Sequence, residues 1–369
     1  TQYCEEWMDN GRDKNKPFFL MMHHKAIHRN WVPAERHYRL YEHAKFPLPD
    51  NYYDAEIRNG FYIESKMKRA WAAQIEVLEE IRRICQNHNI PFFADWGTLL
   101  GAVRHHGFIP WDDDLDIGML RDDYNKFLQI APAELSSFFK LKSLYNDPEH
   151  DNVKARIITG RSMNFSKEYL DKFHNCPYVV GIDIFPIDYI PENKDKADTQ
   201  LHLINLILTA ASSIPEEPPY SSEVIQLAKS FENMCNVKFN MNNRLVHEFK
   251  KLLDIVSQNC NPKDSSEVCS MIDLACGWDY HIPVEAYRSW TMMPFEYTTI
   301  PVPDGYDYIL KVKYGDNYMT PVRGCGSHDY PFYKKQEQAL KSIIEKEFGI
   351  SISDEEFNQL LNQKMNMTT

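Results

Sequence analysis

Within about thirty residues, between Ile90 and Met119, the chain changes character three times. Ile90 to Ala94 reads as a short apolar strand, Gly97 to His105 as a short helix, and Asp114 to Met119 as a second strand. Alternation this tight admits an α/β or α+β fold, because each short element buries one face against a neighbour of the other kind. A longer helix precedes it. Trp71, Ile75, Leu78, Ile81 and Cys85 recur at threes and fours, Glu79 stands four before Arg83, and the pattern, which turns helical after Tyr53, stops near Asn87-His88-Asn89. Asp122 or Asp123 is placed to cap the next helix, which carries Tyr124, Phe127, Leu128 and Ile130. Lys154 to Thr159 and Val179 to Ile187 read as further strands. Thr199 to Ala275 is mainly helical, broken by the loop Pro215 to Pro219, and reads as a helical insert. Tyr297 to Asp307 returns to extended structure, Tyr308 to Tyr314 is a short helix, and Gln336 to Phe348 is a charged amphipathic helix.

Composition narrows the class of function. Lysine and arginine total 41 against 53 aspartates and glutamates, a net charge of −12, which argues against nucleic acid as a partner. No stretch reaches the ~20 apolar residues that cross a bilayer. At ~150 residues per domain, 369 residues predict two or three domains. The eight cysteines form no C-x-x-C pair; Cys260, Cys269 and Cys276 cluster, but with only His281 near them they read as structural thiols. Sequons at Asn164 and Asn366 carry no meaning without an export signal, and a chain that opens Thr1-Gln2-Tyr3 is expected to be a piece of something longer.

The densest polar signal runs from Gly97 to Gly118. On a strand, Asp114 and Asp116 project from one face while Leu115 and Ile117 point into the core. Two carboxylates on one face repel, a divalent cation removes that repulsion, and an oxygen-only ligand set selects Mg²⁺ or Mn²⁺ over zinc. Gly97-Thr98 supplies a close backbone approach and a hydroxyl at a helix start, as a phosphate site requires, and Arg104 adds positive charge. A calcium loop is excluded, because the positions that need glycine and glutamate hold Ile117 and Asp123. The D-x-D loop of glycosyltransferases is the nearest enzymatic rival.

The run Gly97 to Gly118 closely resembles the signature of the LicD family, phosphocholine-type transferases that include the fukutin-related proteins. Gly181-Ile182-Asp183-Ile184-Phe185-Pro186-Ile187-Asp188 is similar to that family's second acidic strand. Val302-Pro303-Asp304-Gly305-Tyr306 with Leu310 and Tyr314-Gly315-Asp316 resembles its C-terminal element. The likeness covers about residues 66 to 333. It implies a nucleotidyltransferase-like small mixed sheet flanked by helices, and transfer of a phospho-alcohol from a CDP-linked donor to a hydroxyl of a cell-surface glycan or its precursor. Asp114 and Asp116 would hold the metal. Asp183 is the candidate third carboxylate, as ligand or base, with Asp188 as the fallback. Lys154 and Arg156 alternate on one strand face and are candidates for donor phosphates; His328 stands where the family tends to have a histidine. Trp96, Phe108 and Trp111 are available to stack on a base or cage a quaternary ammonium, although core packing accounts for at least two of them. A cytidine donor favours the cytoplasm.

The front of the chain resembles something else. Pro17 to Tyr53 is similar to an internal stretch of the sulfatase family, with Lys25 and His28 matching its substrate-contacting Lys-x-Pro-His although Ile27 replaces the proline. The sulfatase nucleophile motif is absent. Residues 1–54 therefore read as a sulfatase-like fragment, the tail of an upstream sulfatase domain or a relic of fusion, with the transferase over 55–369. The rival functional reading is a non-catalytic nucleotide- or glycan-binding module fused to a sulfatase.

Overall fold

The structure, a computed structural model, describes residues 48–242, 244–322 and 330–366. The chain divides into two compact units, Thr1–Tyr52 and Tyr53–Thr369. The strand expected at Pro17 to Leu20, the pair Lys25 and His28, and His328 lie outside the described residues. The second unit begins two residues ahead of the expected 55. Tyr53 belongs to it: its hydroxyl meets His174 Nδ1 at 2.6 Å, and the Arg69 guanidinium lies over its ring at 4.8 Å.

A small hairpin opens this unit, β1 (Glu56–Arg58) and β2 (Phe61–Ile63), turning through Asn59-Gly60 with φ of 51° and 76°. Helical periodicity was expected here; strands of three residues are too short to display a period of two. The helix Ser65–His88 follows and buries Met67, Trp71, Ile75, Leu78 and Ile81, each contributing roughly 1.5–3 kcal/mol of hydrophobic stabilisation. It ends at Asn89, whose left-handed conformation (φ 51°) turns its N–H back onto the carbonyls of Cys85 and Gln86.

The central sheet is mixed and flanked by helices, as expected. Its order is β3 (Phe93–Ala94), β4 (Asp116–Leu120), β7 (Gly181–Ile190), β6 (Ala155–Ile158) and β5 (Lys140–Lys142). β4 and β7 run parallel; the other pairs in this path are antiparallel. Ile117, Met119, Ile182 and Ile184 are fully buried at alternate positions, so the opposite face is free to carry polar groups. The helix after β4 spans Arg121–Glu134, and no side chain caps it. Asp122 and Asp123 sit in its first turn instead, where carboxylates complement the helix dipole.

β7 changes partner along its length. Gly181 to Ile184 pair with β6, whereas Asp188 to Ile190 pair with β8 (Glu267–Cys269), which in turn pairs with β9 (Ile282–Pro283). Pro186 falls between the two partners, where its missing N–H interrupts neither ladder. β8 lies inside the stretch expected to be mainly helical, and it is a strand because Val268 and Cys269 bury themselves on the edge of β7. Three helices make up most of the rest of that stretch: Lys194–Ser213, Ser222–Cys235 and Leu245–Ser257 pack around a core of their own, including Ile204, Ile207, Phe231, Phe249 and Leu253. A hairpin of β10 (Trp290–Phe295) and β11 (Thr298–Pro303) then leads to the helix Tyr306–Tyr314. Two helices, Tyr333–Phe348 and Asp354–Asn366, close the described chain. No helix among the described residues is long and apolar enough to cross a membrane.

Candidate functional site

The strand register builds the site's first row. Asp116 on β4 stands opposite Asp183 on β7, and Asp183 stands opposite Arg156 on β6. Residues in register share a face, so three candidate side chains from three strands line up across the sheet. Asp183 pairs with two cations, Lys154 Nζ at 2.6 Å and Arg156 Nε at 3.2 Å, and Lys154 also lies 4.8 Å from the Phe185 ring. Gly181 leaves room for this arrangement, since a Cβ there would come within 2.9 Å of Arg156 Nε and 2.7 Å of the Ile157 carbonyl.

Immediately before β4, carboxylate oxygens of Asp112, Asp113 and Asp114 gather within 4.8 Å of one another. The long helix fixes this turn from below. Trp71 Nε1 donates to the Asp112 carbonyl at 3.1 Å, and Gln74 Nε2, one turn on, donates to the Asp113 carbonyl at 2.8 Å. From the other side, the Phe332 N–H donates to Asp113 Oδ2 at 2.6 Å. Burial, then the neighbouring Asp114, pushes the Asp112 carboxyl up to about 8. Burial raises Asp116 well above the carboxylate range, with Asp114 and Asp183 adding to it. Carboxyls held this close fit a divalent cation, which removes their mutual repulsion. The expected ligand pair was Asp114 and Asp116. In the structure Asp114 lies in the cluster with Asp112 and Asp113, and Asp116 is its electrostatic neighbour on the strand.

Gly97 and Thr98 open the helix Trp96–His105 beside this cluster. A Cβ at Gly97 would collide with the Asp112 carboxylate, so glycine is what lets the helix start approach the acidic turn. The Thr98 hydroxyl accepts the Asp116 N–H at 2.8 Å and so anchors the first residue of β4. Asp95 caps the helix through the Trp96 N–H at 2.8 Å and is ion-paired with Lys313, whose Nζ lies 3.9 Å over the Trp96 ring. These contacts hold Trp96 at φ 45°, a left-handed backbone that a bulky side chain rarely adopts.

Asp114, Lys154, Arg156 and Asp183 line one cavity of about 400 Å³, together with Gln74 and Lys335. Other expected residues are elsewhere. Arg104 turns to the Tyr318 carbonyl at 2.7 Å and is not among those lining the cavity. Phe108 stacks on Trp71 in the core, rings 4.9 Å apart. The fallback Asp188 is not among the residues lining that cavity: it forms a buried pair with Arg121 at 2.6 Å, and Arg121 also binds Asp254 at 2.8 Å. Burial lifts Asp188 to about 6 against the pull of Arg121. Sequence reasoning passes over Trp71, Gln74, Asp95 and Lys313 as parts of the site. Gln74 had a signal available, a polar residue inside the apolar run Ala70 to Ile75.

Residues 89–198 match the family model described as LicD/FKTN/FKRP, nucleotidyltransferase domain. The chain is 36% identical over 254 residues to the lipopolysaccharide cholinephosphotransferase LicD of Haemophilus influenzae, covering 67% of this chain and 89% of that protein. A shorter likeness, 40% over 48 residues, reaches the ribitol 5-phosphate transferase FKRP of Homo sapiens, covering 13% of this chain and 10% of that protein. An N-acetylglucosamine-6-O-sulfatase of Bacteroides thetaiotaomicron is 37% identical over 94 residues, or 24% of this chain and 17% of that one. The register row, the acidic turn before it and this extent of likeness lead to one conclusion: the chain belongs to the LicD/FKTN/FKRP family and is an enzyme of the phosphotransferase type.

Proposed function

We propose that this enzyme moves a phospho-alcohol, phosphocholine-like, from a CDP-linked donor to a hydroxyl of a cell-surface glycan or its precursor. The observation that carries the reading is the row Asp116–Asp183–Arg156, set by strand register beside the acidic turn, of which Asp183 and Arg156 line a cavity together with Asp113, Asp114, Lys154 and Lys335. That combination suits a diphosphate held with a divalent cation. The printed names of the relatives, a cholinephosphotransferase and a ribitol 5-phosphate transferase, support the class of group transferred.

A bound Mg²⁺ or Mn²⁺ would offset phosphate charge as the phosphoryl group is transferred, and Asp114 with Asp116, joined by Asp112, would hold it. Lys154 and Arg156 bind the donor's diphosphate oxygens. Asp183 takes the proton of the acceptor hydroxyl, whose oxygen bonds to the phosphorus carrying the alcohol as the bond to the CMP leaving group breaks. The helix start at Gly97-Thr98 brings backbone N–H groups towards the phosphates. The test is turnover of a panel of CDP-linked donors with excess Mg²⁺. Asp114→Asn and Asp116→Asn should each remove measurable turnover while leaving the melting temperature unchanged or raised, because each replaces an acid in a crowded acidic cluster by a neutral amide of similar size. Turnover surviving both substitutions would sink the metal assignment.

A further inference from the structure

One side chain of the acidic cavity is only half used. Gln74 is 1% exposed, on the face of the Ser65–His88 helix that carries the acidic turn. Its Nε2 donates to the Asp113 carbonyl at 2.8 Å. A backbone carbonyl only accepts, so this bond identifies the nitrogen end of the amide. The other end, Oε1, is buried and has no hydrogen-bond partner among the described residues. Holding the turn needs Nε2 alone, and a buried acceptor left unpaired opposes folding.

The lining of the cavity indicates what Oε1 is for. Lys154, Arg156 and Lys335 donate only; Asp113, Asp114 and Asp183 bring acceptors that carry charge when ionised. Among these side chains Gln74 alone offers a neutral acceptor, which suits an uncharged donor and does not compete for the cation. We propose that Gln74 Oε1 accepts a hydrogen bond from a hydroxyl of the bound substrate, which makes Gln74 a specificity-determining residue for a hydroxyl-bearing ligand. The inference rests on the donor reading above. Gln74 lies ahead of residues 89–198, the span that the family model covers. The hydroxyl comes either from the ribose of the nucleotide or from the alcohol being transferred.

The experiment is calorimetry on the full chain with Mg²⁺ and two pairs of probes. Cytidine diphosphate is compared with its 2′,3′-dideoxy form, and CDP-ribitol with CDP-choline, whose transferred group has no free hydroxyl. The native protein should prefer the hydroxylated member of one pair by about tenfold or more, because a site that pairs a hydroxyl rejects the analogue lacking it. Gln74→Met, of similar volume, should reduce that preference to within about twofold. Loss in the first pair assigns the ribose; loss in the second assigns the transferred alcohol. A native protein that distinguishes neither pair overturns the proposal without any variant, and so does a folded Gln74→Met that keeps the preference. Weaker Mg²⁺ binding by Gln74→Met in the absence of nucleotide would give Oε1 to a cation-bound water and also overturn it. If the native protein binds none of the four probes, the donor reading itself fails, a result distinct from binding all four alike.

Discussion

Asp112 keeps its proton in neutral solution, because burial and Asp114 together lift its carboxyl to about 8 from an ordinary 3.8. Between those values the folded chain binds a proton that the unfolded chain has released. Stability from this group is therefore whole below about pH 4 and is lost as pH rises through 8. With a chelator present, the melting temperature should fall between about pH 5 and pH 8; Mg²⁺ should flatten that slope and release protons, countable by calorimetry in two buffers of unlike ionisation enthalpy. A melting temperature that climbs over this range in chelator would contradict the assignment. Thr98 makes a second prediction. Thr98→Val keeps the shape but leaves the Asp116 N–H buried without its acceptor, which costs about 1–3 kcal/mol in urea unfolding, whereas Thr98→Ser should recover most of it. Residue types were legible here: acids at 114 and 116, glycine and hydroxyl at 97 and 98, acid at 183. The task of the Thr98 hydroxyl was not, because it depends on a strand end eighteen residues away in the chain.

At the scale of elements, the strands and helices with clear periodicity were readable, and the three-residue strands β1, β2, β5 and β8 were not. Register was the larger loss. Nothing in the spacing of Asp116, Arg156 and Asp183 says that they stand side by side, since pairing between strands is set by the whole hydrophobic pattern and the connections. Asp188 shows the cost: from sequence it is an acid five residues beyond Asp183, whereas in the fold it lies on the half of β7 that pairs with β8 and faces Arg121. Arg121 joins β7 to the insert helix Leu245–Ser257 through Asp188 and Asp254. Arg121→Met should strand two buried carboxylates and cost about 3–5 kcal/mol, seen as a lower urea midpoint. An unchanged midpoint would mean that this pair does not tie the elements together.

For the whole molecule, the class of sheet was legible in the sequence. Removing residues 1–52 should preserve folding and donor turnover, since every residue assigned to the cavity lies beyond them. Loss of either on that deletion, measured by thermal melting and by donor consumption, would place the boundary elsewhere. The way β7 divides its pairing has a further consequence. Its first half carries Asp183 beside β6, and its second half pairs with β8, which leads out of the helical insert, with Pro186 at the junction. The insert packs around a core of its own, so substitutions inside that core should leave the spacing of the carboxylates undisturbed. A single strand thus joins two cores that can vary separately.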